Sequence, residues 1–147
     1  MKGTVKTKFI EPYRKEGDRY RTNLDFLCSK CNNAGVYFIR SNRTDEVIYI
    51  GYSAANLYKT IYRHFQEWND KAQQRFTYSK TGYTVRVILT TPARAALLEK
   101  YLIQKFQPRD NELKYNDYLS EKQIERATEI VDNTPVVSIE DLEEVPF

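Results

Sequence analysis

The sequence predicts an α+β fold, an α/β sandwich in which a small central three-stranded, mainly antiparallel sheet is flanked by helices. Three observations carry this expectation. The stretch from Gly35 to Phe65, GVYFIRSNRTDEVIYIGYSAANLYKTIYRHF, runs apolar run, polar turn, apolar run and amphipathic segment without interruption. A third strand-like run, TVRVILTT, spans Thr84 to Thr91. Two later segments, Ala93 to Gln107 and residues 120–131, repeat apolar residues at helical spacing.

Taken in order, residues 1–23 hold a short alternating piece, Thr4 to Ile10, that can add a strand, followed by a polar basic run. Lys6, Lys8, Arg14, Lys15, Arg19 and Arg21 could reach phosphates there, with Tyr13 and Tyr20 stacking on bases. An ordered arm packed on the domain is the equal alternative. Leu24, Phe26 and Leu27 are expected to plug the core through a helical turn. The runs Gly35 to Arg40 and Val47 to Ser53 are rich in Val, Ile, Tyr and Phe, and SNRTDE between them is turn material, which makes a hairpin. Alternation places Tyr37 with Ile39 on one face, and Tyr49 with Val47 and the gap left by Gly51. Two strand tyrosines ordinarily pack against each other. Gly51, lacking a side chain, lets a backbone or a substrate approach beside them. Next, Leu57, Ile61, His64, Phe65 and Trp68 recur at helical spacing, with Asn56 as N-cap. Asn69 to Lys80 is a polar loop or irregular strand whose Lys71, Arg75 and Lys80 alternate with aromatics. That pattern suits a nucleic-acid groove or merely the cover of a core edge. Thr91-Pro92 opens the helix to Gln107, whose expected buried stripe is Ala96, Leu97, Tyr101, Leu102 and Phe106. Ser120 caps the last helix, with Ile124, Ala127 and Ile130 or Val131 inside. An acidic tail follows that can dock on a sheet edge through Val136, Val137 and Ile139, or cover a basic groove.

Four segments result: a basic arm packing on the domain over 1–33, a central domain over 34–118, a helix over 119–133 and an acidic tail over 134–147. The formal charge of +3 hides an uneven distribution. Residues 1–30 hold eight Lys/Arg against four Asp/Glu, residues 31–118 thirteen against eight, and residues 119–147 two against eight. A basic body with an acidic tail suits a polyanionic partner. No apolar leader or membrane-length run interrupts the charged residues, which points to a cytoplasmic protein with no membrane partner. Cys28 and Cys31 form half of a zinc knuckle. With a single His in the chain and no third Cys, two reduced thiols are expected, the alternatives being a redox pair or an intermolecular metal site.

The tripeptides Gly35-Val36-Tyr37 and Tyr49-Ile50-Gly51, together with LLEKYLIQKFQPRDN from Leu97 to Asn111, resemble the GIY-YIG endonuclease domain over roughly Ala34 to Tyr115. The resemblance implies a metal-dependent endonuclease acting on DNA through one Mg²⁺ or Mn²⁺ ion. On that basis Tyr37 would activate water, Tyr49 would orient or share its proton, His64 would assist proton transfer and Glu99 would hold the metal. Gly35, Gly51, Lys59 and Asn111 would support the site, and Arg40, Lys71, Arg75 and Lys80 would bind nucleic acid. In one place the chain departs from the family. Where the family carries an Arg four residues before His64, Thr60 stands here; Arg63, almost on the same face, is expected to take over the phosphate charge. Read without the resemblance, Arg63 is a solvated surface charge and Glu99 a surface carboxylate.

Two rival classes remain. One is a catalytically inactive nucleic-acid-binding module, favoured by Thr60; the other is a small α+β domain that binds protein only. A second copy of the chain or a protein partner would have to supply specificity, since no separate recognition domain is visible.

Overall fold

Val, Ile and aromatic side chains crowd the middle of the chain, and the computed structural model shows them paired as expected. It describes residues 4–27, 33–66, 77–111 and 119–138. Cys28, Cys31, Trp68, Lys71, Arg75 and Ile139 lie outside them. In chain order the elements are β1 (Val5–Lys6), β2 (Tyr13–Glu16), β3 (Arg19–Thr22), a 3-10 turn (Asp25–Leu27), β4 (Gly35–Ser41), β5 (Val47–Ser53), α1 (Leu57–Arg63), β6 (Tyr83–Leu89), α2 (Pro92–Phe106) and α3 (Glu121–Asp132). The central sheet has the order β1-β6-β4-β5 and every pairing in it is antiparallel. It has one strand more than the three expected, because Val5 and Lys6 pair with Leu89 and Ile88. The basic run after Ile10 forms a separate two-stranded hairpin, β2–β3, turning at Gly17 with φ 62°.

Burial divides the molecule into two apolar layers, one on each face of the sheet. One face carries Tyr37, Ile39, Val85 and Val87 against Leu57, Ile61 and Phe65 of the α1 segment, with Leu24 and Leu27 beside them. The other carries Val36, Phe38, Ile50 and Ile88 against Ala95, Leu98 and Leu102 of α2 and Ala127 of α3. The buried stripe of α2 is therefore rotated from the expected one, and Phe106, expected inside, is 49% exposed. Ile124 is likewise exposed, leaving Ala127, Ile130 and Val131 as the inner face of α3. Both helices start as the sequence foretells. The Thr91 hydroxyl accepts from the Arg94 N–H ahead of Pro92, and Ser120 and Gln123 form a reciprocal capping box. Among the described residues no helix is long and apolar enough to cross a membrane.

Val47 does not share a face with Tyr49. Between Ile39 and Arg40 the register skips a residue, so that Ile39 opposes Tyr49 and Arg40 opposes Val47. Ile48 is the extra residue of a β-bulge, and a bulge turns neighbouring side chains toward the same side. Ile48 and Tyr49 accordingly join the α1 layer while Val47 packs with the α2 layer.

Both edges of the sheet are closed. Along β1, Lys6 donates its N–H to Pro135 O at 2.9 Å and Val137 donates to Lys6 O at 2.8 Å, so residues 135–137 lie parallel to the edge. Along β5, Asp110 donates its N–H to Ile48 O at 2.9 Å. One residue on, the Asn111 amide imitates a neighbouring strand. Its Oδ1 accepts from Ile50 N–H at 2.9 Å and its Nδ2 donates to Ile50 O at 2.8 Å. Exposed edges invite pairing with other chains, and these contacts remove the invitation.

Tyr13 roots the β2–β3 hairpin in the core, edge-on to Phe65 with ring centroids 5.6 Å apart. Its hydroxyl is buried without a hydrogen-bond partner among the described residues. Leaving a buried hydroxyl unmatched costs about 1–3 kcal/mol. Tyr13→Phe is therefore expected to leave stability unchanged or raise it by about 1 kcal/mol in urea denaturation; a loss of that size would show the hydroxyl to be bonded.

Candidate active site

Position 51 must be bare for this site to exist. Tyr37 on β4 stands opposite Gly51 on β5, and a Cβ on Gly51 would run into the hydroxyl, Cζ and Cε1 of the Tyr37 ring. The gap read in the sequence as room for a substrate or a backbone is filled by Tyr37 itself. Gly35 serves closeness of another kind: a Cβ there would meet Ile88 O and the Leu57 side chain, so it lets β6 and α1 draw in.

Lying across Gly51, the Tyr37 hydroxyl reaches His64 Nε2 at 2.7 Å. His64 closes α1, its own N–H bonded to the carbonyls of Ile61 and Tyr62, which fixes the backbone from which the imidazole projects. The Asn56 side chain caps the other end by accepting from Lys59 N–H at 3.0 Å. Tyr49, brought to this face beside the bulge, completes a three-ring cluster. Ring centroids lie 6.0 Å apart for Tyr37 and Tyr49, 5.4 Å for Tyr37 and His64, and 4.7 Å for Tyr49 and His64.

Burial pushes the Tyr37 phenol well above its ordinary pKa of 10, and the charge of Tyr49, a hydrogen bond to Tyr49 and the charge of Glu99 push the same way. Tyr49 is raised too, chiefly by burial and further by Glu99, while its hydrogen bond with Tyr37 pulls it down. The Tyr37 hydroxyl thus links the imidazole and the Tyr49 phenol in one buried polar group, and the direction of its bond with His64 follows the imidazole tautomer. Of the two phenols Tyr49 is the one that can meet solvent, since Tyr37 is 2% exposed whereas Tyr49, like His64, is only partly buried.

Glu99 projects from α2, which packs against β5, and is partly exposed. Its charge acts on both phenols, which brings it to the edge of the cluster. Among the described residues no three His, Cys, Asp or Glu side chains converge. Asn111 is not at the rings; it holds the strand that carries Tyr49. Arg63 is exposed in the last turn of α1, next to His64, and Lys59 is exposed in the first turn. Thr60 bonds back to its own helix, its Oγ1 donating to Asn56 O at 2.9 Å.

Two residues expected to bind nucleic acid make contacts within the protein. Arg40 lies on the opposite face from Tyr37, its guanidinium 4.1 Å from the centre of the Phe9 ring and bonded to Thr84. Lys80 donates to Phe65 O at 2.9 Å and so caps the chain leaving α1. Sequence reasoning missed Tyr78 and Asp110. The Tyr78 N–H donates to His64 O at 2.6 Å, and its hydroxyl donates to Asp110 Oδ2 at 2.7 Å. A brace thus runs from the histidine backbone to the residue before Asn111. A tyrosine in a polar loop and an aspartate beside a family asparagine were the only signals.

The GIY-YIG catalytic domain family matches residues 33–116, more than half of the chain, and this span contains the three rings, Glu99 and Asn111. The chain belongs to the GIY-YIG family. Among curated proteins, this GIY-YIG chain is 34% identical over 108 residues to the UvrABC system protein C of Bacteroides thetaiotaomicron, covering 73% of the chain and 17% of that protein. It is 37% identical over 86 residues to the UvrABC system protein C of Methylobacillus flagellatus, covering 58% of the chain and 14% of that protein. The chain therefore spans only a small fraction of the length of these relatives. No solved structure matches it at comparable significance.

Two outcomes test the geometry. Gly51→Ala is expected to displace the Tyr37 ring and break the contact with His64, at a cost of about 1–3 kcal/mol typical of overpacking; an unchanged denaturation midpoint would refute the packing. Glu99→Gln removes an anion that disfavours phenolate formation, so the Tyr49 pKa is expected to fall. Phenolate absorbance followed against pH, with Tyr49→Phe as reference, reads the shift, and a rise would contradict it.

Proposed function

We propose that this chain is an endonuclease that hydrolyses DNA phosphodiester bonds with one Mg²⁺ or Mn²⁺ ion. The observation that carries the reading is the cluster of Tyr37, Tyr49 and His64, in which the Tyr37 hydroxyl lies 2.7 Å from His64 Nε2 and Tyr49 is only partly buried. Hydrolysis requires a group that takes a proton from water as the water attacks phosphorus. Tyr49, only partly buried, can meet a water, whereas the resemblance gives the water-activating role to Tyr37, with Tyr49 orienting or sharing its proton. A phenol with a pKa of 10 costs about 4 kcal/mol to ionise at pH 7, and burial adds to that. The hydrogen bond with Tyr37 offsets part of it for Tyr49, and a protonated His64 beside the rings would offset more. Arg63, exposed beside His64, would hold the phosphate oxygens.

Glu99 fits a hard divalent cation, which commonly takes one protein carboxylate and completes its shell with water and phosphate oxygens. When bound, such an ion supplies positive charge to the reacting phosphate and its leaving oxygen. The basic balance of residues 31–118 suits DNA as the polyanion.

A second reading has its own observation. Thr60, where the family carries an Arg, spends its hydroxyl on its own helix, which favours a module that binds nucleic acid without cutting it. Nicking of supercoiled plasmid and of branched and single-stranded oligonucleotides decides between the two. Wild type is expected to cut only with Mg²⁺ or Mn²⁺. Tyr49→Phe, His64→Ala, Arg63→Ala and Glu99→Ala are each expected to lose about 100-fold or more while retaining binding. Salt-sensitive binding with no cutting in either metal would establish the module instead.

A further inference from the structure

The β2–β3 hairpin lies before the segment shared with the family, and its register gives it two different faces. Arg14 pairs with Arg21 and Glu16 with Arg19 on one; Tyr13 pairs with Thr22 and Lys15 with Tyr20 on the other. On the first face Glu16 bridges Arg14 at 3.0 Å and Arg21 at 3.1 Å, a self-contained ionic network. The second face has a different character. At its root Tyr13 packs on Phe65, the residue after His64, and the charges of Tyr58 and Tyr62 on α1 reach the Tyr13 hydroxyl. One pair farther out on the same face stand Lys15 and Tyr20, both exposed. Tyr20 is 43% exposed and Tyr62 is 39% exposed, two of the few large apolar side chains left open to solvent. Tyr58 and Tyr62 lie with their rings parallel to within 7°.

We infer that the trough between the Lys15–Tyr20 face of the hairpin and the exposed side of α1 binds a nucleic-acid strand with unpaired bases next to the phosphate to be cut. The inference rests on the nuclease reading for the direction of the strand, since the root of the hairpin packs on Phe65, the residue after His64. Its chemistry is that of single-strand binding: a cation for the phosphate and aromatic faces on which bases stack regardless of sequence. Blunt duplex offers phosphates but hides its bases, so Tyr20 and Tyr62 would add nothing to its binding. The hairpin is held firmly enough to form one wall. Arg14 Nη1 donates to Asn23 Oδ1 at 2.6 Å, and Asn23 Nδ2 donates to Glu11 O at 2.9 Å. Below the trough sits the orphaned hydroxyl of Tyr13.

The test is fluorescence anisotropy of labelled single-stranded and blunt duplex oligonucleotides, in EDTA so that no cutting intervenes. Wild type is compared with Lys15→Ala/Tyr20→Ala and with Tyr62→Ala, all exposed positions whose melting temperatures should match wild type. Single-strand affinity is expected to fall about tenfold or more in the double variant, with the salt slope reduced by about one for the lost lysine. For blunt duplex the change should be limited to the lysine contribution. Equal affinities for wild type and both variants would overturn the trough. An equal loss for both DNAs would overturn the preference for unpaired bases. If wild type fails to cut yet the tenfold difference persists, the nuclease reading falls and the trough stands.

Discussion

Much of this molecule is arranged around one contact, the Tyr37 ring lying on the bare backbone of Gly51. A phenol in the middle of a strand would ordinarily stand off the sheet and pack into the core. Here the missing side chain opposite lets it lie across the neighbouring strand, with its oxygen at His64. The bulge at Ile48 brings Tyr49 to the same face, and the end of α1 supplies His64 at the height of the ring. Site and packing are not separable at this point, because the ring that touches His64 is also a buried core residue.

The supports of the site lie along the sheet edge. β5 carries Tyr49 and Gly51 and would be an open edge strand but for residues 110 and 111, which follow the helix bearing Glu99. Asn111 pairs with Ile50 from the side, while Asp110 pairs with Ile48 and holds the Tyr78 hydroxyl. The carboxylate helix, the phenol strand and the histidine backbone are thereby joined through short hydrogen-bonded segments, and pre-organisation of this kind is what positioned catalysis requires.

How much of this could be read from the residues differs by element. The β4–β5 hairpin, α1 with its Asn56 cap, and α2 with Thr91-Pro92 were legible because β-branched and aromatic runs, turn residues and caps act locally. The family was legible because its marks lie in those same elements. Which residues α2 buries was misjudged by about one position, since neighbouring apolar residues offered several similar stripes and only docking on the sheet selects among them. The bulge left no local mark, and it changes which side chains share a face. β2–β3 was missed as a hairpin because its strands are hydrophilic; nearly all their side chains face water, and the pairing is held at the root by Tyr13. For Arg40 and Lys80 charge alone suggests phosphate ligands, and the sequence does not show that the Arg40 guanidinium lies over the Phe9 ring and the Lys80 ammonium donates to Phe65 O.

The rooting of the hairpin has a consequence for modularity. Leu24 and Leu27 are almost wholly buried, Val5 and Tyr13 nearly so, and all four belong to the same apolar layer as Tyr37, yet all precede the stretch shared with the family. The stretch that builds this core is therefore longer than the stretch that the family shares. Evolution could copy the second only by copying, or replacing, the first.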